Sequence, residues 1–173
     1  MERISVVGSS GAGKTTLARA LAERLALPYV ELDALNWGPD WQEAAPEVFR
    51  QRVWAATAGD RWVCDGNYAI VRDIVLARAD TLVWLDLAFG VVLGRTIRRS
   101  VSRAISREPI WNGNVESWRS LLGPKSLIWW TIRTHHGRRR RWEAWLRRPE
   151  AAHLVVVRLR SPGEVDRWLA GLD

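Results

Sequence analysis

Eight consecutive residues, Gly8-Ser9-Ser10-Gly11-Ala12-Gly13-Lys14-Thr15, follow the spacing G-x-x-x-x-G-K-[ST], and Thr16 extends them. Glycines at these places let the backbone bend until successive N–H groups point inward, which makes a cradle for phosphate. Where such a loop opens a helix, the helix dipole favours the same negative charge. Lys14 is expected to reach the β and γ phosphates of a nucleoside triphosphate, and the Thr15 hydroxyl to ligate Mg²⁺. The chain has 24 arginines and only two lysines, Lys14 and Lys125, so a lysine inside the glycine loop is there for its chemistry. ATP and Mg²⁺ are the expected ligands, with Gly8 to Thr16 as the nucleotide-binding residues.

Mg²⁺ takes oxygen ligands and keeps several waters, so one or two carboxylates near the loop should complete its surroundings. Asp33, Asp65 and Asp86 each follow a short apolar run that reads as a strand, which puts them at the strand ends beside the phosphate loop. Asp86, after Leu82-Val83-Trp84-Leu85, resembles a Walker B aspartate, so Thr15, Asp33 and Asp86 are the expected metal-side residues. Glu31 and Asp33 are two apart and should share one face of a strand. Asp33 is expected to orient or deprotonate an acceptor hydroxyl, or to hold the metal through water. The turn Asp65-Gly66-Asn67-Tyr68 combines a carboxylate, an amide and a phenol and is expected to bind the acceptor; an ordinary Asp-Gly turn is the alternative. Trp37 and Trp41 bracket Gly38-Pro39-Asp40 just after Asp33, where the pair could clamp a planar substrate or simply pack.

Arginines at 95, 99, 103 and 107 repeat at i, i+4, which makes one helix face positive, and no acid lies between residues 95 and 107. Such crowding calls for an anion opposite, so Arg95 and Arg99 are expected at the transferred phosphate beside Lys14 and Asp33. Arg138 to Arg141 turn through about 300° of helix and cannot share one face. Arg138 and Arg141 lie four before Trp142 and Trp145, and either stack on those rings or reach the acceptor. Residues 95–148 hold thirteen Arg and one Lys against three acids, a net +11 within a chain of net charge +7. The phosphates of a nucleotide and those of a nucleic acid both fit such a module. Trp111, Trp118, Trp129 and Trp130 among these arginines would also suit single-stranded nucleic acid.

Strands and helices must position these groups. Arg3–Val7, Tyr29–Leu32, Arg61–Asp65, Thr81–Asp86 and His153–Leu159 read as strands. Lys14–Leu25, Pro46–Ala58, Ile70–Arg78, Gly90–Ser106, Ser126–Arg148 and Pro162–Leu172 read as helices, with residues 107–123 irregular. That alternation predicts a three-layer α/β fold: a five-stranded parallel sheet with helices on both faces, and a helical basic lid insertion at about 95–148. With 173 residues, one domain is expected over 1–173. Trp54, Trp62 and Trp84 should be core, and Cys64, the only cysteine, a buried thiol. No run of 18 apolar residues and no signal-like start is present, so a cytoplasmic location without membrane contact is expected.

Across nearly the whole chain the pattern resembles the adenylate kinase and shikimate kinase group of small P-loop kinases. Asp65-Gly66-Asn67-Tyr68 stands where adenylate kinases carry a DG-aromatic-Pro turn, although no proline follows Asn67. Arg95 and Arg99 match the arginine pair after that family's fourth strand, and Glu31 with Asp33 is similar to the paired acids of shikimate kinases. Leu32-Asp33-x-Leu35-x-Trp37 with Trp41, and Trp62-Val63-x-Asp65-Gly66-Asn67-Tyr68, look like the bacterial adenylate kinase-like family labelled DNA topology modulation proteins. The resemblance implies a mobile lid at about 103–135 and ATP-dependent phosphorylation of a small acceptor, a nucleotide or nucleoside. The alternative is a nucleic-acid-binding ATPase or polynucleotide kinase that uses the Arg/Trp-rich module.

Overall fold

A computed structural model describes residues 1–107, 109–115 and 126–172. Five strands form one parallel sheet: β1 (Arg3–Gly8), β2 (Tyr29–Glu31), β3 (Trp62–Asp65), β4 (Thr81–Leu85) and β5 (Val155–Leu159), in the order β2-β3-β1-β4-β5. The central strand β1 is short and apolar, and it is covered on both faces as parallel strands must be. Its register sets Val6 between Asp65 of β3 and Val83 of β4, and Gly8 opposite Leu85. The glycine loop therefore leaves the middle of the sheet between the carboxyl ends of two neighbours.

Alternation along the strands feeds two cores. On one face Ile4, Val6, Val63, Val83 and Leu85 pack with Leu17, Ala18 and Leu21 of α1 (Lys14–Arg24) and with Trp168 and Leu169 of α7 (Pro162–Ala170). On the other, Val7, Cys64, Leu82 and Trp84 meet Phe49 and Val53 of α3 (Pro46–Ala56), Ile74 and Val75 of α4 (Arg72–Arg78), and Trp142 of α6 (Leu127–Trp145). Burying each such side chain contributes roughly 1.5–3 kcal/mol, enough for the sheet to fix everything at its carboxyl edge. Burial also raises the pKa of the Cys64 thiol, which keeps it an inert core group. Trp62 and Trp84 are core as expected, but Trp54 is 59% exposed and its ring is covered by Arg78, 3.7 Å away.

The structure departs from the sequence reading at several boundaries. Strand β2 stops at Glu31, and Leu32–Asn36 form a short helix, α2, so Asp33 stands in a helical first turn rather than on the strand. A 3-10 turn, Ala69–Val71, precedes α4. Helix α5 (Phe89–Ser106) carries Arg95, Arg99 and Arg103, but Arg107 caps it with a left-handed φ of 49° and leaves the stripe. Helix α6 ends at Trp145 instead of Arg148, and β5 starts at Val155. Trp118, Arg119 and Lys125 of the basic module lie outside the described residues. Among the described residues no helix is long and apolar enough to cross a membrane.

Candidate active site

The N-terminus of α1 is capped by Gly13 in the left-handed region, with no side-chain cap and no acid in the first turn. By contrast Ser126 and Ser161 cap α6 and α7 through their hydroxyls. The first N–H groups of α1 are thus left for a ligand, and an anion is what they favour. Gly11 has φ +79°, and a Cβ there would lie 2.2 Å from Thr96 Oγ1, so only glycine allows α5 to approach the loop. Thr96 Oγ1 donates to Ser10 O (3.2 Å), Arg95 Nη1 to Ala12 O (3.2 Å) and Arg99 Nη2 to Ser10 Oγ (3.1 Å). On the other side Ser9 Oγ lies 3.3 Å from His135 Nδ1 of α6. Lys14 Nζ donates to Ser9 O at 3.3 Å.

A cleft of about 1980 Å³ opens over this loop. Gly8, Ser10 to Thr16, Asp33, Trp37, Gly66, Asn67, Tyr68, Arg95, Arg99 and Arg138 all line it; of the expected site residues Ser9, Asp65 and Asp86 do not. Ser9 lies beneath the loop on His135. The two buried aspartates have opposite fates.

Thr15 Oγ1 donates to Asp65 Oδ2 at 2.6 Å, and Tyr29 Oη donates to the same oxygen at 3.3 Å. Asp65 Oδ1 is buried without a partner. Burial raises the Asp65 pKa, opposed by the Lys14 charge and the Thr15 hydrogen bond, while Asp33 and Glu31 push it further up. Lys14 is lowered by its own desolvation, against the attraction of Asp65 and Asp33. Asp86, expected on the metal side, is held by basic side chains: Arg158 donates to its carboxylate through Nε (2.9 Å) and Nη2 (2.6 Å), Arg139 adds an ion pair at 3.4 Å, and Glu143 completes the cluster. The aspartate beside Thr15 is Asp65, which the sequence reading gave to the acceptor turn.

Asp33 Oδ1 accepts a short hydrogen bond from Tyr68 Oη. Glu31 does not share that setting: Trp111 Nε1 (2.8 Å) and Arg19 Nη2 (3.3 Å) donate to its two oxygens. Gly66 is required here, since a Cβ would fall 2.7 Å from Leu32 Cβ, and the turn is thereby pressed onto α2. Trp37 and Trp41 meet edge to face, 5.6 Å apart at 79°, so no planar group fits between them. Arg138 stacks 3.7 Å from the Trp130 ring rather than on Trp142, whose face is taken by Arg72 at 4.9 Å. Burial, with Arg141 and Arg72 nearby, lowers the Arg138 pKa to about 10, and Arg72 is lowered for the same reasons, with Arg141 and Arg148 as neighbours. Sequence reasoning missed Arg72, which opens α4 after the DGNY turn; the signal available was its place one turn beyond Tyr68. All three arginines line the cleft.

Residues 4–64 match the model of the ATPase family associated with various cellular activities (AAA). A shikimate kinase of Symbiobacterium thermophilum is 37% identical over 125 residues, which cover 64% of this chain and 70% of that protein. The fold is similar to that of shikimate kinase from Bacteroides thetaiotaomicron (TM-score 0.58, 17% identity, 99% and 96% of the two chains). It is also similar to a gluconokinase from Sinorhizobium meliloti 1021 (TM-score 0.53, 19% identity, 99% and 93%). The five-stranded sheet with its glycine loop is thus a fold shared by kinases with different acceptors.

Proposed function

The chain belongs to the shikimate kinase group of P-loop kinases, and we propose that it transfers the γ-phosphoryl group of ATP to a hydroxyl of a small anionic acceptor. The observation that carries the acceptor class is the group Arg72, Arg138 and Arg141: all three line the cleft, and burial together with neighbouring guanidinium groups lowers the proton affinity of Arg72 and Arg138. Like charges held together call for an anion between them. A nucleotide meets that requirement and an uncharged nucleoside does not. The adenylate kinase-like pattern of residues 32–37 and 62–68 favours the same class.

In this reading the free N–H groups of α1 hold the β phosphate, Lys14 bridges the β and γ phosphates, and Arg95 and Arg99 meet the charge on the transferred group. Asp33 takes the acceptor proton on the oxygen that Tyr68 leaves free. The acceptor oxygen bonds to the γ phosphorus, the bond to the β,γ-bridging oxygen breaks, and ADP departs with that electron pair. Thr15 Oγ1 and Asp65 fit Mg²⁺: they are 2.6 Å apart, and the buried Asp65 Oδ1 lacks any other partner. Bound there, Mg²⁺ would supply positive charge to the phosphate oxygens.

The test is a screen for ATP consumption over nucleotides, nucleosides, hydroxy acids, neutral alcohols and oligonucleotides, with Lys14→Ala as background. Anionic small acceptors are expected to raise turnover at least 100-fold above that variant, in line with the roughly 2.7–4 kcal/mol that one transition-state donor supplies. Turnover confined to neutral alcohols would sink the acceptor class, and none with any acceptor would sink the kinase reading. The oligonucleotide arm tests the nucleic-acid alternative, whose support is Trp129, 50% exposed with Arg133 at 6.0 Å from its ring.

A further inference from the structure

The DGNY turn carries one feature that acceptor binding leaves unused. Tyr68 lines the cleft with Asp33, but its hydroxyl is already committed. It donates to Asp33 Oδ1. A phenol has one O–H, and Asp33 takes it, so none is left to donate to an acceptor. The ring is fixed as well, meeting Phe49 edge to face at 5.1 Å and 76°.

Asp33 needs such a support. It stands in a helix of only five residues, and its backbone carbonyl receives Trp37 N at 3.0 Å. Among the described residues Tyr68 is the one side chain that donates to its carboxylate. A five-residue helix by itself fixes side-chain direction poorly, because a short run of turns is marginal without packing. The packing comes from the same turn: Gly66 lies against Leu32, the residue before Asp33.

We infer that Tyr68 is a positioning residue for phosphoryl transfer, holding Asp33 by Oδ1 so that Oδ2 faces the acceptor hydroxyl; the inference rests on the kinase reading above. Burial and the neighbouring Asp33 raise the Tyr68 pKa, so the phenol remains a donor wherever the carboxylate is ionised. A hydroxyl that faced the acceptor directly would set affinity. One that holds the base sets the rate.

Tyr68→Phe keeps the ring on Phe49 and removes only the donor. In the full chain it is expected to lower kcat about tenfold or more, since misplacing a reacting group by about 1 Å can cost about 100-fold, with both KM values within twofold of wild type. A second measurement reads the contact without turnover. The chain has two tyrosines, Tyr29 and Tyr68, so ¹³Cζ-tyrosine labelling gives two NMR signals, assigned by Tyr68→Phe. Asp33→Asn is expected to move the Tyr68 signal and leave that of Tyr29. An unmoved Tyr68 signal, a kcat within twofold of wild type, or a raised acceptor KM at unchanged kcat would each overturn the inference. Wild type that turns over no acceptor above Lys14→Ala would overturn the kinase reading itself, an outcome distinct from an active wild type matched by an active Tyr68→Phe.

Discussion

Asp65 ends β3 and Asp86 follows β4, the strands on either side of β1; both are buried, yet they have different partners. Asp65 meets the Thr15 hydroxyl, whereas Asp86 is closed off by Arg158, whose guanidinium also lies 4.2 Å from the Trp84 ring. Without the Asp86 charge the half-buried Arg158 keeps only the more exposed Glu143 as an ionic partner, so Asp86→Asn is expected to lower stability by about 1–3 kcal/mol. Nucleotide affinity should be nearly unchanged, whereas a metal-side role would abolish Mg²⁺-dependent binding. Denaturant titration and calorimetric binding of MgATP separate these outcomes. The sequence could show that an acid ends each strand, because apolar runs bounded by turns are local. It could not show which acid faces Thr15, because Arg158 comes from a strand 72 residues later. The same limit hid Arg72, whose meaning depends on Arg138 and Arg141 from another helix.

Elements whose signal was local came out within a residue or two. The glycine loop, α1, β4 and α5 all have one strong period or motif behind them. The segment after β2 was less legible, because Leu32-Asp33-Ala34-Leu35-Asn36 continues an apolar strand pattern until packing under Gly66 turns it into helix. Residues 109–115 were read as irregular, and they are, but their seat on the Trp37–Trp41 loop was not foreseeable. Asn114, 4% exposed, holds it: Nδ2 donates to Gly38 O (2.8 Å) and Trp111 O (2.7 Å), and Oδ1 accepts from Trp41 N (2.7 Å). Trp111 then reaches Glu31, and Arg103 of α5 lies 5.8 Å from its ring. Each backbone group left unpaired in a buried place costs about 1–3 kcal/mol, so Asn114→Ala should release this seam. Amide exchange at Trp41 is expected to accelerate at least tenfold while exchange in β1 is unchanged; equal rates in both proteins would show that the aromatic contacts alone suffice.

For the molecule as a whole, charge is distributed to serve the cleft at some loss of stability. The basic segment alone carries +11, and part of it, the half-buried Arg138 with the exposed Arg141, lines the cleft together with Arg72. Arg138→Met keeps an apolar stem on Trp130 and removes the crowded charge. Below pH 10 the guanidinium is charged in both the folded and unfolded states, and the unfavourable crowding is fully present. As pH rises through about 10, the folded protein releases this proton while the unfolded chain, with a value near 12.5, retains it, and the penalty fades. Arg138→Met is therefore expected to be more stable than wild type at pH 7, on the order of 1 kcal/mol after screening at this part-buried site. That advantage should shrink above pH 10. The acceptor KM should rise tenfold or more at pH 7, because the anion loses a partner that it was needed to neutralise. Denaturant midpoints at pH 7 and 10.5, set beside steady-state kinetics, test both halves. A variant less stable than wild type at pH 7 would mean that stacking on Trp130 outweighs the repulsion, and an unchanged KM would place the anion elsewhere in the cleft.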